Sequence, residues 1–397
     1  MTPPDPETVG VPALHRAALI AAFSAMGIVG ATVPASIPGA SLRLGTTPDE
    51  LLPGVSALFL GLFAGVSFVA VLRRSQRSYL VAGLLLQGAG LALLAASASS
   101  TMFFVACTTS GVGFAFVETS ATALTRAVAA GSTPRYLTLL NGAAAVGAAS
   151  APLVIVLFPP TSQAAPIAIL CSVPLLGATL AWFGVPRSDL GRAASRRMRR
   201  RHVPVDRSRV RFGSLAFVGV ALFAFVGAET VVSGWSSVLP ESLLHVSASQ
   251  AAVGTSLFWL LVAVGRFMCA AILRRGIAPQ RYLLVVLAAA SVLAAAAAIV
   301  QQGICAAVLA AAATVLIAPV YALLLGVALA QVHDSAAVPR VTAALVAVGS
   351  AGGVVVSFAV ALGAGSAPTA VFLSVAAVLA VCMVLVVVDL RASRDRL

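Results

Sequence analysis

The chain has 397 residues, of which 60% are hydrophobic and only 9% are charged. Soluble domains carry about 25% charged residues, so this composition excludes a soluble globular protein and predicts that lipid is the solvent. The formal net charge is +13, and all 25 basic residues are arginines. Their placement in the loops between apolar runs argues against nucleic-acid binding.

Twelve apolar runs are long enough to cross a bilayer as helices of about 20 residues. The predicted spans, numbered 1 to 12 in chain order, are residues 17–40, 51–72, 79–97, 102–128, 137–158, 164–186, 212–238, 250–273, 282–300, 304–331, 341–363 and 368–390. The sequence therefore predicts an all-α membrane protein with twelve transmembrane helices.

A weak internal repeat divides the chain into two similar parts. The motif at 72–74, Leu-Arg-Arg, returns 201 residues later at 273–275, and the Pro-Arg pair at 134–135 returns 205 residues later at 339–340. Repeats of this kind are typical of secondary transporters, whose substrate site lies between the two halves.

The domain organisation that follows has three parts. We predict an N-terminal six-helix half at 1–186, a basic linker at 187–211 and a C-terminal six-helix half at 212–397. The linker contains ten arginines. It either sets the topology as a solvated segment or binds anionic lipid.

The arginines also predict the orientation. Twenty-three of the 25 lie in the N-terminal segment, the even-numbered loops, the C-terminal tail or the adjoining helix ends, and the exceptions are Arg43 and Arg266. Because positively charged loops stay in the cytoplasm, both termini and all even-numbered loops are predicted to be cytoplasmic.

Span 4 contains the leading candidate for a functional residue, Glu118. Gly111, Ala115, Glu118, Thr122 and Thr125 share one small and polar helix face. Ionisable groups inside a membrane are energetically expensive, which favours a functional role. Burial favours the neutral form of a carboxyl group, so Glu118 is predicted to carry a proton and to bind substrate. The alternative is a packing role, with Glu118 hydrogen-bonded to a neighbouring helix.

Span 7 contains a second acid, Glu229, with Ser233 on the same face and Trp235 near the helix end. Glu229 is predicted either to bind substrate or a second proton, or to join two helices in one conformational state. In span 8, Arg266 is predicted to cap backbone carbonyls or reach the cytoplasmic interface, and binding of an anionic substrate is the alternative. Because the axial separation is about 15 Å, we expect no direct Glu229–Arg266 pair.

Two further spans contribute candidate binding residues. In span 1, Thr32 and Ser36 share one face close to Pro34, and a membrane proline frees a backbone carbonyl. In span 10, Tyr321 lies 203 residues after Glu118 and therefore close to its symmetry position. Tyr321 is predicted either to contact a ligand or to pack.

The chain resembles the major facilitator superfamily over nearly its whole length: twelve spans, two halves and a basic central loop. In that family spans 1, 4, 7 and 10 line the central cavity, and the polar candidates fall on those four spans. The loop 2–3 signature of the family is degenerate here. The segment 72–77 keeps its basic residues, but Leu72 replaces the signature's Asp and Ser75 its second Gly.

A narrower resemblance is to the fucose:proton symporter-like branch. The segment 118–122 (Glu-Thr-Ser-Ala-Thr) is similar to the branch's Glu-Thr-Ala-Ala-Asn, whose Glu takes part in proton coupling and substrate binding. The pattern Gly-x-Glu at 227–229, followed by Trp235, Phe-Trp at 258–259 and Gly-Arg at 265–266, is similar to its span 7–8 pattern. Thr122 replaces the branch's Asn, and span 1 lacks its acid, so sugar specificity does not transfer.

These observations predict a secondary active transporter that moves a small organic solute by alternating access, with proton coupling through Glu118. The alternative is a proton-antiport exporter of drugs or small amphipathic metabolites. The expected partners are the solute, protons and membrane lipids, without nucleic acid, and the protein is expected to be a monomer in the bacterial inner membrane. A channel and a non-transporting receptor remain open as further classes.

An enzyme is not expected. A membrane enzyme would need a histidine or paired acids inside the membrane, and the four histidines lie in loops or at span ends. No Gly-x-x-x-x-Gly-Lys phosphate loop occurs, which excludes a primary pump within this chain. The five cysteines lack metal-ligand spacing, so neither a metal nor a cofactor is expected.

Overall fold

The computed structural model describes residues 13–51, 53–72, 74–128, 133–159, 164–186, 212–236, 243–244, 253–300, 303–332, 334, 337–364 and 368–394. Twelve of the described segments are helical, long enough and apolar enough to cross a membrane, as predicted. The predicted linker at 187–211 lies outside the described residues.

The spans have the following bounds. Span 1 is Ala13–Leu44, span 2 Pro53–Val71, span 3 Gln76–Ala95, span 4 Ser100–Val128, span 5 Thr133–Val156, span 6 Ala164–Gly184, span 7 Phe212–Trp235, span 8 Val253–Leu273, span 9 Pro279–Ile299, span 10 Gly303–Ile317 with Val320–Ala330, span 11 Val338–Ala364 and span 12 Pro368–Arg394. A short helix, Pro48–Leu51, lies between spans 1 and 2.

The surface of the bundle matches a lipid environment. Many large apolar side chains are exposed, among them Leu60, Phe63, Val71, Phe183 and Val292. Such a surface would aggregate in water, but it costs nothing against hydrocarbon tails. The buried core contains Phe23, Phe103 and Phe225 together with many alanines. Small residues let neighbouring helices approach closely, which is the usual source of packing energy in lipid.

Spans 1–6 pack among themselves, as do spans 7–12, and we call these groups the N-terminal and C-terminal halves. The halves meet where span 5 packs against spans 8 and 10, and where span 11 packs against spans 2 and 4. The end of the bundle where spans 2, 4, 8 and 10 finish is called the basic end below. It carries Arg74, Arg77, Arg126, Arg135, Arg274, Arg275, Arg281 and Arg340.

Span 10 departs from the single helix that the sequence predicts. It is interrupted at Ala318 and Pro319, between Ile317 and Val320. A proline has no amide hydrogen, so the carbonyl one turn earlier loses its helical partner. In a membrane helix such freed groups need partners from neighbouring helices. The break lies in the middle of the bundle, where the carbonyl of Ala318 accepts a hydrogen bond from span 8, as described next.

Candidate functional site

Glu118 and Tyr321 meet at the interface between the two halves. The hydroxyl of Tyr321, in span 10, donates a hydrogen bond to Oε1 of Glu118, in span 4. Glu118 is only 7% exposed. Burial favours the neutral form of its carboxyl group, whereas a hydrogen bond from Tyr321 favours the charged form. The carboxyl group of Glu118 is therefore subject to two opposing influences, one of which is supplied by the opposite half.

The helix face predicted around Glu118 is buried along its length. Ala115, Thr122 and Thr125 are each at most 1% exposed. The hydroxyl of Thr125 donates to the carbonyl of Ala121 at 2.7 Å, one turn earlier in the same helix. Span 4 therefore satisfies this hydroxyl internally, and Glu118 is the residue of this face that hydrogen-bonds to the opposite half.

Arg266 pairs directly with Glu229, contrary to the sequence prediction. Its Nη2 lies 3.1 Å from Oε1 of Glu229, and the two side chains are 5% and 15% exposed. The prediction was wrong because it compared backbone heights along straight, parallel helices. Transmembrane helices are tilted, and the long side chains of Arg and Glu reach across the remaining distance.

The remaining donors of Arg266 bind backbone carbonyls, as predicted. Nε donates to the carbonyl of Ala318 at the break in span 10, at 2.9 Å. Nη1 donates to the carbonyl of Asn141 in span 5, at 2.8 Å. Arg266 does not reach the cytoplasmic interface, the other predicted possibility, because these three acceptors hold it in the bundle interior. It thereby joins spans 7, 8 and 10 of the C-terminal half to span 5 of the N-terminal half.

Gly265 allows this arrangement. A Cβ atom at position 265 would lie 2.0 Å from the carbonyl oxygen of Val315, which is too close for any side chain. Pro319 has no amide hydrogen, so the carbonyl of Val315, four residues earlier, has no helical partner. The glycine lets span 8 approach the break in span 10, so that the neighbouring Arg266 can reach Ala318.

The two pairs lie close enough to interact electrostatically. Glu229 interacts with both Glu118 and Tyr321, and Arg266 also interacts with Tyr321. We call these four residues the central cluster. It contains two acids and one permanent cation, so it is electrically neutral only when one of the acids holds a proton. Glu229 has Arg266 as its counter-ion, whereas the hydrogen-bond partner of Glu118 is the neutral hydroxyl of Tyr321.

The other predicted binding residues do not hydrogen-bond to the central cluster. The hydroxyl of Thr32 donates to the carbonyl of Ile28 at 2.6 Å, and that of Ser36 to the carbonyl of Val33 at 2.8 Å. Ser233 likewise donates to a carbonyl of its own helix. Trp235 packs in an apolar cluster that contains Ala297 and Phe372.

Asn141 is the residue that sequence reasoning missed. It is the single asparagine of the sequence and is buried in span 5. Its side-chain amide donates to the carbonyl of Leu137 at 2.9 Å, while its own backbone carbonyl accepts from Arg266. A buried amide within a membrane span was the available signal. The acceptor is a backbone atom, however, which no residue type could have indicated.

No group of three or more possible metal ligands is present among the residues that the structure describes. The central cluster contains carboxyl, phenol and guanidinium groups, all of which can form hydrogen bonds. Its four side chains come from spans 4, 7, 8 and 10. The Tyr321–Glu118 hydrogen bond crosses between the halves, whereas the Arg266–Glu229 bond lies within the C-terminal half.

A family model for the Major Facilitator Superfamily matches residues 18–357, and the chain belongs to that family. Its members are transporters rather than enzymes, and they work by alternating access. No curated protein matches the chain in sequence.

Solved structures support the same fold. The fucose:proton symporter FucP of E. coli is 19% identical, with a TM-score of 0.74 over 94% of this chain and 98% of that one. The proton:xylose symporter XylE is 14% identical, with a TM-score of 0.77 and 94% of both chains covered. The human organic anion transporter MFSD10 is also 14% identical, with a TM-score of 0.75 over 96% of this chain and the whole of that one.

Proposed function

We propose that this protein is a proton-coupled carrier of a small organic solute and that Glu118 is its proton site. The observation that carries the proposal is the hydrogen bond from Tyr321 to Glu118 across the two halves. In an alternating-access carrier the contacts between halves must form and break in each cycle. A proton on Glu118 changes the strength of one such contact, and this links proton binding to the movement.

Solute binding is proposed to affect the same conformational equilibrium between the two states of the carrier. A hydroxyl or amine group of a solute would compete with Tyr321 for the oxygens of Glu118. When the solute replaces Tyr321, the two halves lose a hydrogen bond while Glu118 keeps a donor. A ligand shifts a conformational equilibrium only as far as it prefers one state, and this exchange of donors supplies such a preference.

The Arg266–Glu229 pair has a different role in this proposal. Arg266 is bound by one carboxylate and two carbonyls, so its hydrogen-bonding groups are already engaged. A buried cation held in this way favours the charged form of Glu229. Glu229 is therefore proposed as a secondary binding group that orients the solute, with Glu118 as the acid that exchanges its proton.

The conformation described here is proposed to be the one that opens away from the basic end. Nε of Arg126 in span 4 donates to the carbonyl of Leu329 in span 10 at 3.0 Å, which closes the halves at the basic end. A Cβ at Gly326 would lie 2.6 Å from Cα of Pro134, so the backbones of spans 5 and 10 also touch there. One similar structure, of FucP, is named as an outward conformation.

Symport is the direction that we propose, because two of the similar structures are named as proton symporters. The bacterial inner membrane is the proposed location, with the basic end in the cytoplasm by the positive-inside rule. The substrate is proposed to be a small polar solute, since the central cluster offers several hydrogen-bonding groups.

The test is internal pH in proteoliposomes that contain the purified protein, measured while sugars, polyols and cationic drugs are added outside. We expect acidification with at least one solute for the wild type and none for Glu118→Gln. Glu50→Gln, at an exposed position in the first loop, is the matched control and should behave as the wild type. Proton movement of opposite sign would show antiport, and proton movement that survives in Glu118→Gln would contradict the proposal.

A further inference from the structure

A cavity of about 450 Å³ opens at the basic end, at the junction of the two halves. One side of the cavity is lined by the N-terminal half, through the start of span 5. The C-terminal half contributes the rest, from the loop between spans 8 and 9 and the last turns of span 10. The lining includes Pro134, Arg135, Arg274, Gln280, Val327 and Ala330.

The cavity is positively charged. Its two ionisable lining residues are Arg135, from the N-terminal half, and Arg274, from the C-terminal half, and no acid lines it. Asp334, in the following loop, is not part of the lining. In the part of the chain that the structure describes, neither arginine side chain forms an ion pair or a hydrogen bond, and Nε of Arg135 is buried without a partner. A buried guanidinium nitrogen without an acceptor is costly, so a missing acceptor is indicated.

A helix terminus faces the same cavity. Span 9 begins at Pro279, and its N-cap residue Ala278 has no side chain that could cap the helix. The first backbone hydrogen bond of this helix runs from the amide of Tyr282 to the carbonyl of Ala278. The amide groups of Gln280 and Arg281 precede it and therefore have no acceptor within the helix. Free amides at a helix start attract anions, since the helix dipole places partial positive charge there.

We propose that this cavity binds a phosphate-type anion, either as a free ion or as the headgroup of an anionic lipid. A guanidinium group matches a phosphate through two parallel hydrogen bonds, and two such groups with helix amides form a complete set of donors. The acceptor that the buried Nε of Arg135 lacks would then be a phosphate oxygen.

Such an anion would stabilise one conformation of the carrier. Arg135 and Arg274 belong to opposite halves, which touch at the basic end at the close approach of Gly326 to Pro134, so separating the halves would move the two arginines apart. A bound anion therefore favours the state that is closed at this end. This regulation involves neither Glu118 nor proton coupling, so it stands independently of the function proposed above.

The test uses the purified full chain in a neutral detergent and inorganic phosphate as the probe. Thermal stability is followed during a phosphate titration at constant ionic strength, with chloride as the balancing anion. We expect saturable stabilisation of the wild type. The half-saturating concentration should rise at least about tenfold in Arg135→Gln and in Arg274→Gln. Arg275→Gln is the matched control, because Arg275 is adjacent and exposed but does not line the cavity.

A second arm separates the two sources of the anion. The same proteins are placed in nanodiscs of phosphatidylcholine alone or with phosphatidylglycerol, without added phosphate. Stabilisation by phosphatidylglycerol that depends on Arg135 and Arg274 indicates a lipid headgroup, and stabilisation by phosphate alone indicates a free ion. Arg274 is exposed, so its variant folds independently of the cavity. The proposal is overturned if neither probe stabilises the wild type, or if all three variants respond as the wild type does.

Discussion

Tyr321 and Glu118 are 203 positions apart in the chain, and the tyrosine hydroxyl donates a hydrogen bond to the glutamate carboxyl across the two halves. The two residues also occupy nearly equivalent positions in the internal repeat. The carboxyl group proposed as the proton site is therefore in direct contact with both halves.

Replacing Tyr321 by Phe removes the hydroxyl that binds Glu118 and keeps the ring. A hydrogen bond to a charged group contributes about 1.5–3 kcal/mol, so we expect the apparent solute affinity of transport to change by roughly 10- to 100-fold. Uptake kinetics in proteoliposomes measure this change. Tyr136→Phe, at an exposed position at the start of span 5, is the control. Equal kinetics for both variants would show that the Tyr321 hydroxyl takes no part in transport.

Replacing Arg266 by Ala leaves Glu229 without its counter-ion and two carbonyls without a donor. Removing one partner of a buried ion pair costs about 3–5 kcal/mol, so we expect a much lower yield of folded protein and a lower thermal stability. The double variant Arg266→Gln, Glu229→Gln should recover part of the loss, because it removes both charges.

The measurement for this pair is the fraction of monodisperse protein after extraction, together with the thermal midpoint. Arg275→Ala, at an exposed site, is the control and should match the wild type. A normal yield for Arg266→Ala with altered solute selectivity would assign Arg266 to solute binding instead.

Most residues of this site could be predicted from the sequence, but the contacts between them could not. The intramembrane residues Glu118, Glu229 and Arg266 could be found from the sequence, because charged groups are rare in apolar spans. Their partners could not all be found, since a pairing depends on helix tilt and on the relative height of neighbouring spans. Tyr321 could be predicted as a site residue because the internal repeat relates it to Glu118. The carbonyl of Asn141 is a backbone atom, which has no sequence signal.

The fold was predictable for a related reason. Hydrocarbon forces each span to satisfy its own backbone, so a run of about 20 apolar residues already determines a helix. The break in span 10 was harder to predict, because Pro34 and Pro38 lie inside the continuous helix of span 1. Beside Pro319, by contrast, the helix is interrupted, and Nε of Arg266 donates to the carbonyl of Ala318 within the interruption.

Replacing Gly265 by Ala should disturb this break. The added methyl group would lie 2.0 Å from the Val315 carbonyl, so spans 8 and 10 must move apart. We expect a destabilisation of about 1–3 kcal/mol, typical of overpacking, and a weaker Arg266–Ala318 contact. Gly234→Ala is the control, because nothing lies within 4 Å of a Cβ there. The measurement is the thermal unfolding midpoint of both variants. Equal midpoints would contradict the close approach of spans 8 and 10 at Gly265.

Replacing Arg126 by Gln removes its bond to the Leu329 carbonyl and should weaken closure at the basic end. A loss of about 1.5 kcal/mol would shift the ratio of closed to open molecules roughly tenfold. Distances between spin labels at Tyr136 and Arg340, exposed positions on opposite halves, report this shift. Arg16→Gln, at an exposed position in span 1, should leave the distances unchanged. The same distances in Arg126→Gln and the wild type would mean that this bond does not hold the end closed.

Glu118→Gln in proteoliposomes, once a transported solute is known, separates proton coupling from movement of the carrier. Two quantities are measured on the same preparation: uphill accumulation driven by a proton gradient, and exchange of labelled solute at equal concentrations without a gradient. Glutamine keeps the shape and a hydrogen-bond acceptor for Tyr321 but exchanges no proton. We expect uphill accumulation to be lost and exchange to continue. Uphill accumulation at the wild-type level would contradict the assignment of Glu118 as the proton site.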